Sequence, residues 1–348
     1  MRIAQIGVGN WGAGWIHQIQ RNTDWTLATV IDSNESRARQ VAADVGLTAA
    51  DAFPSLKAMI EAQIEVDAVL VAVPPVAHTE VTVEALEAGY HCLIEKPLAD
   101  TLDDARTIVA AADKAQRSAM VSQNYRFKRA ARTVRRLISE GVVGDVESVN
   151  IVFKKDPPFD GFRLEMDEPL LMDMSIHHLD LLRAVVPAFE PARVRATSWN
   201  PTWSRFDGNA CATVEIESRS GARAIYTGSW ASRSSHTTWD GSWDIEGTAG
   251  ALTWADNEVI ARPASVFDTV FLPGALEQHG SLRVDLDPST QEERQGVLAE
   301  FAAAIHEGRR PETDAHDNLW SLALVEAAVR SASHGGSLVD VEQLVHSG

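Results

Sequence analysis

Ile3-Ala4-Gln5-Ile6-Gly7-Val8-Gly9-Asn10-Trp11-Gly12 decides the fold of this 348-residue chain. Ile3–Ile6 reads as a short buried strand, and the run from Trp11 to about Arg21 as a helix. Glycines at these three spacings allow a tight turn, let the backbone approach a pyrophosphate, and bring helix against strand, so that the helix N-terminus can hold the phosphates. A glycine pattern alone is a weak signal. Here a second strand, Thr26–Ile31, ends in Asp32, which lies 20 residues beyond Gly12. A carboxylate at that point accepts from both ribose hydroxyls and repels a 2′-phosphate, which favours NAD over NADP. Arg37 tempers the preference, because it can reach a 2′-phosphate. The cofactor contacts expected from this part are Gly7, Gly9, Asn10, Trp11, Gly12, Asp32, Ser33 and Arg37.

Working outward, apolar strands alternate with helices as far as Ser122: Ala68–Val73, Cys92–Ile94 and Ala119–Ser122 follow the first two strands. That alternation marks a parallel sheet with right-handed crossovers, a doubly wound Rossmann domain over residues 1–122. Ligands of such sheets sit beyond the carboxyl ends of the strands. The rule adds Pro74, His78, Glu95, Lys96 and Asn124 as cofactor contacts, and Tyr125 and Arg126 as substrate contacts. From Val146 the texture changes to longer strands rich in aromatic and β-branched residues, from Val146–Lys155 through Ala251–Trp254. Residues 123–348 are therefore expected to form an α/β domain on a large, mostly antiparallel, open-faced sheet. Such a face suits a partner subunit, so a homodimer or homotetramer built through the C-terminal sheet is expected.

Composition sets bounds on function. A net charge of −18, from 49 acidic against 31 basic residues, disfavours nucleic acid and anionic membranes as partners. The basic run Lys128 to Arg136 then reads as the solvated face of one helix. Two cysteines cannot build a disulfide framework. No signal-like segment precedes the first strand and no apolar stretch approaches ~18 residues, so a cytoplasmic location is the expectation.

A second motif, Asp173-Met-Ser175-Ile-His177-His178-Leu-Asp180, reads as a helix with Asp173, His177 and Asp180 along one stripe and leucines around them. Taken with the glycine turn and the Glu95-Lys96-Pro97 loop, in this order along the chain, it resembles the Gfo/Idh/MocA oxidoreductase family over nearly the whole length. The resemblance implies a Rossmann domain followed by an open-sheet domain, with the active site between them and a small-molecule carbohydrate as substrate. It also implies that Lys96 and His177 are catalytic, with Asp173 orienting the substrate or the histidine. One departure stands out: many members carry glycines before this aspartate and two residues after it, where this chain has Glu168-Pro169-Leu170-Leu171-Met172 and Ser175.

The residues suit that chemistry. Oxidising a secondary alcohol removes a hydroxyl proton as hydride leaves the same carbon, and an imidazole such as His177 titrates in the right range to take the proton. Lys96 can donate to the developing alkoxide or relay the proton itself; the sequence leaves both roles open, and Asp180 reads as structural. A metal site is the competing reading of the helix. His177 and His178 project about 100° apart, however, and no cysteine pair or third histidine lies near, so no metal is expected. Lys154 and Arg163 sit in a loop where they can bind the acid group of an anionic sugar. Trp203 and Trp239 are candidates to stack on a sugar ring.

Three functions remain in view: a sugar, cyclitol or glycoside dehydrogenase; a glycoside hydrolase working by transient oxidation, elimination, hydration and re-reduction; and a non-catalytic sensor. The hydrolase needs a further acid or base, for which Tyr125, His178 and His236 are available.

Overall fold

The computed structural model of the chain describes residues 1–263 and 280–346. The side chain of Asn10, an expected cofactor contact, lies outside the described part. Two compact units form, one from Met1–Phe127 with Gln291–Trp320, the other from Lys128–Thr290 with Ser321–Gly348. The first unit thus takes back a segment that the sequence reading left in the C-terminal domain.

Six strands build the first unit: β1 (Arg2–Ile6), β2 (Thr26–Ile31), β3 (Ala52–Phe53), β4 (Ala68–Val71), β5 (His91–Ile94) and β6 (Ala119–Val121). They are all parallel, in the order β3-β2-β1-β4-β5-β6. The order reverses between β1 and β4, and the carboxyl ends of those strands define the crevice where such sheets bind ligands. Every residue of β4 is buried, as expected of a strand covered on both faces. The helices are α1 (Asn10–Gln20), α2 (Glu35–Asp44), α3 (Leu56–Glu61), α4 (His78–Glu87) and α5 (Leu102–Ala115).

The second unit contributes α6 (Arg129–Ser139), β7 (Val146–Lys154), α7 (Phe162–Glu165), α8 (Ile176–Val185), β8 (Pro191–Trp199), β9 (Cys211–Ser218), β10 (Arg223–Ser229), β11 (Ser242–Gly247), β12 (Gly250–Ala255), β13 (Glu258–Pro263) and β14 (Leu282–Val284). Last come α9 (Glu293–Glu307) in the first unit, α10 (Ala315–Ser333), which passes from the first unit into the second, and β15 (Val339–Asp340) and α11 (Val341–His346) in the second.

Apolar packing explains why α9 belongs with the Rossmann sheet. Trp25 stacks on Phe301 with ring centroids 5.3 Å apart, and its indole N–H donates to the Leu298 carbonyl at 2.9 Å. Val297, Leu298 and Phe301 join Trp15, Ile16, Ile19 and Phe127 in one buried cluster. A helix follows its apolar face to wherever that face can be covered.

Among the described residues the second sheet has nine strands, in the order β14-β13-β12-β11-β7-β10-β9-β8-β15, antiparallel except where β10 runs parallel to β7. Period-two alternation gives it one apolar face, with Ile151, Phe153, Val214, Ile216 and Tyr226 essentially inaccessible to solvent. The other face is polar and open. There Arg193 pairs with Glu217 at 2.5 Å and Arg223 with Glu215 at 3.3 Å, while Trp199 and Ile225 stay exposed. Trp230, Trp243 and Trp254 are core residues and need no functional account.

Candidate active site

The glycine turn is built as its spacing requires. Gly7 has φ +85°, and a Cβ there would lie 2.4 Å from the Ala72 carbonyl oxygen. At Gly12 a Cβ would come within 2.0 Å of the Gly7 carbonyl oxygen, so α1 is pressed onto the end of β1. Gly9 differs: beside its Cβ position the nearest atom is Arg37 Nη1 at 3.7 Å, which leaves the backbone open to a ligand. Gln5 holds the turn together from beneath. Its fully buried amide donates to the Gly7 carbonyl at 3.0 Å and to the Gly12 carbonyl at 2.7 Å. The sequence reading passed over Gln5, although a lone polar residue in a buried strand is a signal of such a duty.

Asp32 closes the other side. Its carboxylate accepts from Val8 N at 3.1 Å and from Asn34 N at 2.9 Å, and Arg37 Nη1 lies 3.6 Å away. Ser33 follows on the surface. An open Gly9, a positive helix end and a fixed carboxylate fit the adenosine half of a dinucleotide.

The loop after β5 is anchored through Glu95. Its Oε2 accepts from Lys96 N at 3.0 Å, and its Oε1 accepts from the Trp15 indole at 2.6 Å and from Arg294 at 3.4 Å. Glu95, expected as a direct cofactor contact, is therefore also the bracket for Lys96, which is half-buried. The Lys96–Pro97 peptide is cis. His78 is wholly buried, with its ring nitrogens 2.8 Å from the Pro97 carbonyl and 2.9 Å from the Val73 carbonyl. It clips the turn holding Pro74 to the loop holding Lys96, and burial pushes its pKa down. Asn124 opens a short 3-10 turn with Tyr125, both half-buried. Arg126 turns into the same unit, binding Asp317 at 2.6 Å and the Glu312 carbonyl at 3.3 Å. That guanidinium, expected at the substrate, is committed to a carboxylate of α10.

The second unit carries the other candidates. Residues Leu170–Ser175 form a π-helical turn, and the α-helix begins only at Ile176. This replaces the single regular helix read from the sequence, and single-turn π segments recur at functional sites. Ser175 donates its hydroxyl to the Leu171 carbonyl at 2.6 Å. Glu168 ties the preceding chain down by accepting from Ser198 Oγ and Asn209 Nδ2, each at 2.7 Å. Asp173 meets Arg163 at 2.5 Å, with the two side chains 14% and 12% exposed. The Arg163 guanidinium also stacks between Phe159 and Phe162, at 5.1 and 4.8 Å from their centroids. His177 lies in the first turn of α8 and is 9% exposed. Asp180 faces inward and accepts from Ser321 Oγ at 2.6 Å, a structural contact.

Lys154 ends β7 and is half-buried. Trp203 and Trp239 are exposed, but each ring carries a cation: Arg233 at 5.0 Å from the first centroid and Lys155 at 5.4 Å from the second. Among the described residues no group of three or more His, Cys, Asp or Glu has metal-binding geometry.

His178 is a buried support. Its ring packs on Phe153 and Tyr226, at 4.9 and 5.3 Å between centroids, and Nε2 donates to the Trp239 carbonyl at 3.0 Å. Burial lowers its pKa from 6.5 to about 4, so it cannot exchange protons with a substrate near neutrality and the acid-base role weighed for it is withdrawn. The linkage has a definite sign. Unfolded chains bind this proton below pH 6.5 while the folded chain resists until about 4, so stability present above the first value is lost as pH falls toward the second. In His178→Phe, the acid decline of the unfolding free energy across this window should be shallower by about 1 to 3 kcal/mol. Urea titrations at a series of pH values measure it; parallel curves for both proteins refute it.

Residues 1–123 match the Gfo/Idh/MocA oxidoreductase family, NAD-binding Rossmann fold, and residues 131–253 match the Gfo/Idh/MocA C-terminal domain. The chain belongs to the Gfo/Idh/MocA family. The 1,5-anhydro-D-fructose reductase of Ensifer adhaerens is 28% identical over 337 residues, covering 95% of this chain and 96% of the relative. The inositol 2-dehydrogenase of Rhizobium meliloti is 27% identical over 341 residues, covering 96% and 97%. An oxidoreductase from Agrobacterium radiobacter, solved in complex with NAD+, L-tartaric acid and magnesium, shares the fold with a TM-score of 0.85 at 22% identity, covering 99% of each chain. The first unit is thus the NAD-binding Rossmann domain of a Gfo/Idh/MocA oxidoreductase.

Proposed function

We propose that this chain is an NAD-dependent dehydrogenase or reductase that works between a secondary hydroxyl and a ketone on a neutral sugar or cyclitol. The observation that carries this reading is the dinucleotide cradle around Gly9 and Asp32 together with a bracketed Lys96, in a family whose full-length relatives here include an anhydrofructose reductase and an inositol dehydrogenase. NAD, when bound, supplies the hydride acceptor. The protein residues handle the proton: His177 or Lys96 takes it from the hydroxyl, and Lys96 offers an N–H to the oxygen as charge develops there. Asp173 orients the substrate or the imidazole. Arg163 already faces a carboxylate, so its charge is matched within the protein, and this favours a neutral substrate over an anionic one.

A screen of sugars, cyclitols and aryl glycosides with NAD tests the reading, with NADH absorbance and aglycone release followed together. Stoichiometric NADH supports it. Aglycone release that needs bound NAD yet accumulates no NADH would replace it with the elimination route.

The preference for NAD rests on Asp32. Asp32→Asn removes the repulsion toward a 2′-phosphate and leaves Arg37 without its carboxylate partner. NADPH should then bind about tenfold more tightly and NADH more weakly, as read by fluorescence titration. An unchanged ratio of the two affinities removes the argument for NAD.

A further inference from the structure

We infer that Arg294, at the start of α9, binds the diphosphate of the dinucleotide, and that Gly14 is glycine to leave room for it. This inference rests on the nucleotide-binding reading of the first unit and adds a residue that lies far outside the glycine motif.

The observations are all within that unit. Arg294 lies against α1, where its guanidinium carbon is 4.9 Å from the Trp15 ring centroid and 5.9 Å from that of Trp11. Trp11 and Trp15 are one helical turn apart, so they present a continuous indole surface on one side of α1. Gly14 lies beside them on the same helix, and its added Cβ would sit 2.7 Å from Arg294 Nη1. Gly14 belongs to no phosphate-binding pattern and its backbone is helical, so the turn does not account for it. The guanidinium does.

Arg294 is also under-used. A guanidinium has five N–H donors, yet among the described residues its polar contact is one Glu95 oxygen at 3.4 Å, an atom that the Trp15 indole already approaches at 2.6 Å. With 22% of its side chain exposed, it is a cation held in place by stacking, with donors left over. It sits on the first turns of the helix whose N-terminus meets the glycine turn. In a chain of net charge −18, an anionic ligand needs such a local cation. Planar guanidinium matches phosphate oxygens in pairs.

The test compares NADH, ADP-ribose and adenosine binding by titration calorimetry and tryptophan fluorescence, in parent, Arg294→Ala, Arg294→Lys and Gly14→Ala proteins. In Arg294→Ala, the dissociation constants for NADH and ADP-ribose should rise about tenfold or more, with a weaker dependence on salt. Adenosine, which has no phosphate, should bind as before. Arg294→Lys should recover part of the loss. Gly14→Ala keeps the arginine but displaces it; it should weaken ADP-ribose binding while the thermal midpoint stays equal or rises, since alanine favours a helix. Equal losses for adenosine and ADP-ribose would make Arg294 a structural residue and overturn the inference, as would unchanged ADP-ribose binding. If the parent itself binds neither NADH nor ADP-ribose, the proposed function fails along with this inference, and that outcome is distinct from the other two.

Discussion

Lys96→Ala should turn over substrate about 10² to 10⁴ times more slowly than the parent while binding NADH within about threefold of it, and His177→Ala should behave alike. The reasoning begins with what each side chain can lose. Lys96 is bracketed through its backbone by Glu95, and the cradle around Asp32 and Gly9 is assembled by other residues, so deleting the ammonium leaves the nucleotide contacts standing. What disappears is a donor for the oxygen on which charge develops, and an interaction made chiefly in the transition state lowers kcat rather than affinity. His177 is nearly buried on a helix held by Ser175 on Leu171 just before it and by Ser321 on Asp180 at its middle, so its loss should be local as well. Steady-state kinetics with the substrate found in the screen, alongside NADH titration, separates the cases. Undiminished turnover in both variants ends the catalytic assignment; lost NADH binding in Lys96→Ala shifts that residue to cofactor binding.

The second large effect concerns Arg163 and Asp173. Both side chains are mostly withdrawn from water, so removing one takes a charged partner away from the other, at a cost of about 3 kcal/mol. Arg163→Ala and Asp173→Ala should each destabilise the fold by about that amount, and the double variant should be less destabilised than the sum of the two. Turnover should fall in Arg163→Ala, because Asp173 then loses the guanidinium that helps hold it in position. Added guanidinium at millimolar levels should restore part of the rate if the arginine acts by fixing the carboxylate. Additive stabilities in the cycle, with no rescue, would reduce the pair to a surface contact.

Much of this was legible in the sequence, for reasons that can be stated. Parallel strands buried on both faces appear as unbroken apolar runs, as Ala68–Val71 does. Gly7 and Gly12 each answer a steric demand that only glycine meets, while Gly9 leaves the backbone open. Other features left weaker traces. The two-residue strand Ala52–Phe53 is too short to show any period. Strand β13 alternates properly and follows Asp256-Asn257, both with positive φ, a hairpin turn the sequence reading passed over. The π-helical turn at Leu170–Ser175 could not be read at all, because its residues fit a regular α-helix equally well. Nor could Arg294 be attached to Glu95, since pairing across 199 residues leaves no local pattern.

The return of α9 to the first sheet also bears on how this protein is made. A ribosome delivers Trp25 and Phe127 long before Leu298 and Phe301, the residues that cover them. Through most of translation the nucleotide-binding half carries an uncovered apolar cleft, and it reaches its finished form only after the intervening sheet has been synthesised. A nascent chain halted before Phe301 should be chaperone-bound and protease-sensitive in its N-terminal half, whereas one that has emerged beyond Trp320 should not.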